Sequence, residues 1–212
     1  MSVALAAPAA SANAQERRWL FWLFLAALVL LGAGIGLRDP WPSDEPRYTL
    51  VAKQMVASGD WLFPHRGSEL YSDKPPMLMW LEAVFYLVTG NWRVAFLLPS
   101  LLAGLATLAL TYDLGRRLWS PRVGFFAAAA LLATFQFVYQ VKRAQIDPLI
   151  MLLITLGNWG LLLHFLRGPN WRAYWLGCFA AGLGVITKGV GVLRWSWSCP
   201  TCWRARSAGP VC

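Results

Sequence analysis

Apolar residues in this chain do not recur at a helical or strand period. They stand in unbroken uncharged blocks bounded by Arg and Lys, a pattern that predicts membrane-spanning helices. The first block, residues 19–37, holds 19 residues without a charge. At about 1.5 Å per residue it nearly matches a hydrocarbon core of about 30 Å. Further blocks run over 94–112, 123–141 and 148–166, with a shorter one over 173–187, so five spans are expected. The block 77–90 has only 14 residues and carries Glu82, which predicts an interfacial or re-entrant helix instead of a span.

Composition agrees with this pattern. Apolar residues make up 58% and charged residues only 14%, against about 25% charged in soluble domains. The expected fold class is therefore all-α integral membrane, with about five transmembrane helices and amphipathic interfacial helices in the first outer loop. The net charge of +9 does not point to nucleic acid, because the basic residues sit in pairs at block ends and form no stripe. With the N-terminus inside, Arg17, Arg18, Arg116, Arg117, Arg122, Arg167 and Arg172 all fall on the inner side, as the positive-inside bias expects. Residues 1–18 read as a disordered cytoplasmic tail. Trp19, Trp22, Trp92, Trp119, Trp171 and Trp175 lie near span ends, where indole prefers the headgroup region.

The outer loop, 38–93, concentrates the acids: in its part 38–76, Asp39, Asp44, Glu45, Asp60, Glu69 and Asp73 are six of the ten in the chain. Asp39, Asp60 and Glu69 read as solvation. Residues 41–59 predict a short amphipathic helix, with Leu50, Val51, Met55 and Val56 on one face and Ser43 or Asp44 as cap. Tyr71-Ser72-Asp73-Lys74-Pro75-Pro76 leads into the interfacial helix and would hold Lys74 at headgroup level. Lys142, Arg143, Gln145, Asp147 and Lys188 converge on the same side. Cations there run against the orientation bias, so an anionic lipid-linked substrate is the expected reason. Plainer roles stay open beside these: Asp44 and Glu45 as helix caps, Lys74 as a residue snorkelling to lipid phosphate, Asp147 as a cap, and Glu82 and His164 as interfacial polar residues.

Six short motifs in order resemble the ArnT-like and protein O-mannosyltransferase superfamily, the membrane glycosyltransferases of GT-C architecture. They are Asp44-Glu45-Pro46-Arg47-Tyr48, Gly59-Asp60-Trp61, Tyr71 to Pro76, Gly115-Arg116-Arg117-Leu118, Gln145-Ile146-Asp147-Pro148 and Gly184-Val185-Ile186-Thr187-Lys188-Gly189. The resemblance covers 19–193. It implies transfer of a sugar from a polyprenyl-phosphate donor to a lipid, glycan or protein acceptor, with inversion, on the outer face of a bacterial inner membrane. It makes Asp44 the candidate catalytic carboxylate with Glu45 beside it. Lys74, Arg143 and Lys188 become candidates for donor phosphate, and Arg47, Tyr48, Tyr71, Asp73 and Asp147 supporting residues. The family often has Glu at the position of Asp73, where an acid is linked to a metal or to donor positioning; a divalent metal is the one cofactor left open.

Residues 194–212 differ in composition from the blocks before them and read as a truncated or out-of-frame tail. Their Cys199-Pro200-Thr201-Cys202 lacks both the βαβ setting of a redox motif and the second ligand pair of a zinc site. Two other functions remain: a non-enzymatic remnant that binds lipid-linked intermediates, and a transporter. Transporters usually place ionisable groups near the membrane midplane, whereas here they gather at span ends.

Overall fold

The computed structural model describes residues 9–42 and 44–188, with side chains from Gln15 onward. Residues 189–212, with the tail 194–212 and its three cysteines, and Ser43 lie outside the described residues. The order of elements is α1 (Ala9–Gly32), α2 (Glu45–Ser58), β1 (His65–Arg66), β2 (Glu69–Leu70), α3 (Met77–Thr89), α4 (Trp92–Ala95), α5 (Leu98–Leu118), α6 (Pro121–Ala133), α7 (Phe135–Val141), α8 (Ile146–Arg167) and α9 (Trp171–Lys188). Apart from the two-residue hairpin β1–β2, the described chain is helical.

Two helical segments are long and apolar enough to cross a bilayer, Trp92–Leu118 and Ile146–Arg167. A third path, Pro121–Ala133 with Phe135–Val141, is bent by 70°. At the break Thr134 adopts an extended backbone and its hydroxyl donates to the Ala130 carbonyl. The block 123–141 is thus two helices and not one straight span. Helix α1 ends at Gly32, short of the expected 37, because the chain turns through Gly34 and Gly36, both in the left-handed region. At its other end α1 reaches back to Ala9. Residues 9–18, expected as disordered tail, are therefore helical, and Glu16 accepts a short hydrogen bond from the Tyr112 hydroxyl.

α8 and α9 pack along their length, and α5 packs on both α6 and α8. These contacts are backbone-close. A Cβ placed on Gly177 would lie 3.0 Å from the Gly157 carbonyl oxygen, and one on Gly115 would lie 2.7 Å from Gly124 Cα. Small residues at such crossings let helices approach where lipid gives no hydrophobic drive for association.

α2 and α3 form a layer at one end of the bundle. The buried face of α2 is Tyr48, Val51, Ala52 and Met55, packed on Leu78, Met79 and Ala83 of α3 and on Ile146 and Ile150 of α8. Leu50, expected on that face, is 45% exposed, because it falls a third of a turn away from Val51. The loop between the two helices is tied down by the Trp80 indole N–H donating to the Trp61 carbonyl at 2.7 Å and by the Tyr71 N–H to the Pro64 carbonyl at 2.7 Å.

Candidate functional site

Asp44 occupies the N-cap position of α2, but its side chain makes no capping hydrogen bond. The expected cap role is therefore not what its carboxylate does, and the half-buried group is left to face its neighbours. Tyr48, one turn further along α2, is buried, and its hydroxyl is pushed up to about 12, first by burial and then by the charges of Asp44 and Asp147 and by Tyr71, against the pull of Arg47. One side chain thus lies within electrostatic reach of four of the residues singled out from sequence. Tyr71 is also raised, by burial above all, with Arg47 opposing. Its buried hydroxyl oxygen has no hydrogen-bond partner among the described residues. Arg47 approaches Asp73 at 3.8 Å across an exposed rim.

Asp147 stands in the first turn of α8, whose N-cap is Gln145. Its carboxylate is not a cap either: it pairs with Lys188 at the end of α9 and accepts from Gln140 Nε2 at 3.2 Å. Lys188 thereby comes to the same place as Asp147.

Glu45 is placed differently from its neighbour. It is fully buried, and each carboxylate oxygen takes two donors. Arg38 Nη1 and the Trp41 N–H donate to Oε2 at 2.7 and 2.7 Å, and Arg38 Nη2 and the Ala144 N–H donate to Oε1 at 2.9 and 3.0 Å. Burial alone would raise this carboxyl. The Arg38 bond, the two backbone N–H groups and the Arg38 charge outweigh it and hold Glu45 below the ordinary carboxylate range. Arg38 Nη2 also donates to the Lys142 carbonyl at 2.8 Å, and its guanidinium lies 5.3 Å from the centre of the Phe96 ring.

Two of the expected cations stand apart. Arg143 donates to the Tyr139 hydroxyl at 2.7 Å and lies over that ring, while Lys142 Nζ reaches the Leu30 carbonyl at 3.3 Å. Lys74 is half-buried and makes no ion pair among the described residues. Among the described residues no three His, Cys, Asp or Glu side chains come together as a metal-binding group, so no step is derived through a metal.

Sequence reasoning missed Arg38 and Gln140, and it placed Glu82 wrongly. Glu82 is not an interfacial polar residue: it is fully buried on α3, with neither oxygen partnered among the described residues. Burial pushes its carboxyl well above the ordinary range, and the charge of Glu45 adds to the shift. The one signal for Arg38 was its position at the outer end of the first apolar block, against the orientation bias.

Known proteins resemble this chain over most of its length. The family described as dolichyl-phosphate-mannose-protein mannosyltransferase matches residues 73–194, more than half of the chain. An undecaprenyl phosphate-alpha-4-amino-4-deoxy-L-arabinose arabinosyl transferase of Pseudomonas savastanoi pv. phaseolicola is 31% identical over 82% of this chain and 33% of its own length. The second such transferase of Pseudomonas fluorescens is 32% identical over 88% of this chain and 32% of its own. Among solved structures, ArnT from Cupriavidus metallidurans bound to undecaprenyl phosphate superposes with a TM-score of 0.76 at 26% identity, covering 82% of this chain and 33% of that one. The chain spans about a third of the length of the curated relatives it matches. With a family match over most of its described helices and a fold shared with a solved ArnT, this chain belongs to the dolichyl-phosphate-mannose-protein mannosyltransferase family and is ArnT-like.

Proposed function

We propose that the chain carries the carboxylate and donor-facing part of a glycosyltransferase that takes a sugar from an undecaprenyl-phosphate donor. The observation that carries this reading is a convergence in the packing: Tyr48, Tyr71 and Ile146 share one buried cluster, which brings the stretches bearing Asp44, Arg47 and Asp147 to one end of the bundle, where Arg47 approaches Asp73 and Asp147 pairs with Lys188. Asp44 serves as general base. It takes the proton of the acceptor hydroxyl while the bond from the anomeric carbon to the phosphate oxygen breaks and a bond to the acceptor oxygen forms with inversion. The leaving lipid phosphate keeps the electron pair, and Lys74, with Arg143 and Lys188 when released from their present partners, stabilises its charge. Asp147 holds Lys188, and Arg47 holds Asp73, at the rim.

The same reading supplies the membrane setting. Five spans, counting α1, α4 with α5, the bent α6–α7 pair, α8 and α9, place α2 and α3 as interfacial helices. Arg116, Arg117, Arg122, Arg167 and Arg172 then face the cytoplasm of a bacterial inner membrane. The acceptor is a lipid, glycan or protein, and the resemblance of the relatives' names makes an aminoarabinose donor the first to try.

The test uses membranes containing the chain, the undecaprenyl-phosphate-linked aminosugar and lipid acceptors, with transfer read as a mass increase of the acceptor. Transfer that is lost in Asp44→Asn supports the reading. Binding of undecaprenyl phosphate without transfer puts the binding-remnant alternative in its place.

A further inference from the structure

The proposed base Asp44 and the supporting carboxylate Asp147 lie far apart in sequence. Asp44 precedes α2, and Asp147 opens α8. One side chain touches the backbone beside both. Glu45 follows Asp44 directly, and its Oε1 accepts from the N–H of Ala144, three residues before Asp147, at 3.0 Å. Arg38 closes the same joint from the other side, holding both Glu45 oxygens and the Lys142 carbonyl at 2.8 Å. The Trp41 N–H adds a fourth donor at 2.7 Å. Burial makes this joint stiff: Glu45 is sealed from solvent, so no water can replace a lost donor without opening the packing.

We infer that Glu45 is a positioning residue, a strut that sets the separation of Asp44 from Asp147 by pinning the start of α2 to the turn between α7 and α8. It touches no substrate, since every one of its acceptor directions toward the protein interior is already occupied. The inference rests on the reading of Asp44 as the base only for its purpose; the geometry it predicts stands independently of transfer.

Glu45→Gln isolates the charge and hydrogen-bond pattern from shape. Each oxygen of Glu45 takes two donors, so whichever oxygen becomes NH2 then points a donor at two donors. Arg38→Gln removes the joint from the opposite side.

The test is a pulsed electron–electron distance measurement on the full chain with its cysteines replaced, reconstituted in nanodiscs. Spin labels at Leu50 on α2 and Phe135 on α7, both exposed, read the joint. Labels at Leu162 and Phe179, also exposed, read the α8–α9 pair as a control. The expected result is a Leu50–Phe135 distribution at least about twofold broader in both Glu45→Gln and Arg38→Gln, with the control pair unchanged. An unchanged Leu50–Phe135 distribution in the two variants overturns the proposal, and so does equal broadening of both pairs, which marks general loosening.

If the parent shows transfer, Glu45→Gln should also lower kcat by about 10- to 100-fold with KM held within about twofold, the signature of misplacement rather than lost binding. A fall carried by KM alone overturns the positioning role. A parent without transfer leaves the proposed function failed and the strut still decided by the distances.

Discussion

The two ends of the bundle differ in how far their charge pairing is local, although at the arginine end the Trp159 indole N–H also donates to Asp113 at 2.8 Å and Glu16 lies 3.9 Å from Arg116. At the arginine end, Asp113 pairs with Arg117 at 2.6 Å and Arg116 at 3.6 Å on its own helix, four and three residues away, with all three side chains partly in solvent. At the carboxylate end, Glu45 draws its donors from Arg38, Trp41 and Ala144, and Asp147 from Gln140 and Lys188. The first pattern is what a helix end does anyway when charges are spaced a turn apart. The second is tertiary: it exists only once α1, α2, α8 and α9 are assembled. Local pairs mark where a helix ends, whereas the long-range pairs, buried at Glu45 and half-exposed at Asp147, form only with the assembly.

That contrast can be broken experimentally, beginning with the largest effect. Asp44→Asn should lower transfer by about 10²- to 10⁴-fold, the usual worth of a positioned base, with membrane insertion unchanged; retained transfer removes Asp44 from the chemistry. Arg38→Ala should destabilise the chain by about 3 kcal/mol in denaturant titrations, because it leaves Glu45 as a buried charge without its partner. A loss comparable with that of a surface pair would show that the joint is not the tertiary lock described.

Glu82 sharpens the picture through pH. Its folded carboxyl lies above its ordinary value of 4.5, so the folded chain keeps a proton that the unfolded chain releases. The stability from this group is fully present below about 4.5 and is lost as pH rises toward the folded value. Glu82→Gln removes that slope. It should match the parent in acid and exceed it by about 1 kcal/mol in mild alkali, where relief of an unpartnered buried group is felt. A parallel loss of stability with pH in both proteins would assign the slope elsewhere. Glu45 runs the other way: its lowered value contributes stability above about 4.5 that disappears as pH falls through the folded value. Smallest of all, Arg117→Ala should change stability by less than about 1 kcal/mol, since its pair with Asp113 is solvent-screened; a larger effect would mean the arginine end also works as a lock.

Much of this was legible in the residues. The apolar block 148–166 lies inside α8, and the 14-residue block 77–90 forms the 13-residue α3. The short motifs also named Asp44, Arg47, Tyr48, Tyr71, Asp147 and Lys188, which the fold brings toward one end. What was not legible depended on partners. Glu45 could not be told from Asp44, because the difference lies in Arg38 and Ala144, which only tertiary structure delivers. The 70° bend at Thr134 was hidden in an uninterrupted apolar block, since composition records length and not direction. Glu82 reads from sequence as an interfacial polar residue, because the burial that seals it depends on the packing of α3.

The glycine crossing between α8 and α9 works as a fulcrum. Gly160 lies about 20 Å along the helix from Asp147, at about 1.5 Å per residue. A tilt of about 5° at that crossing would swing the Asp147 end by about 2 Å, and displacements of about 1 Å are enough to cost a catalyst two orders of magnitude. Residues without side chains, remote from the charged groups of the proposed site, would then set its tolerance: a side chain at Gly160 or Gly177, where the facing backbone is within about 3 Å, would be felt as leverage at the far end as well as local crowding.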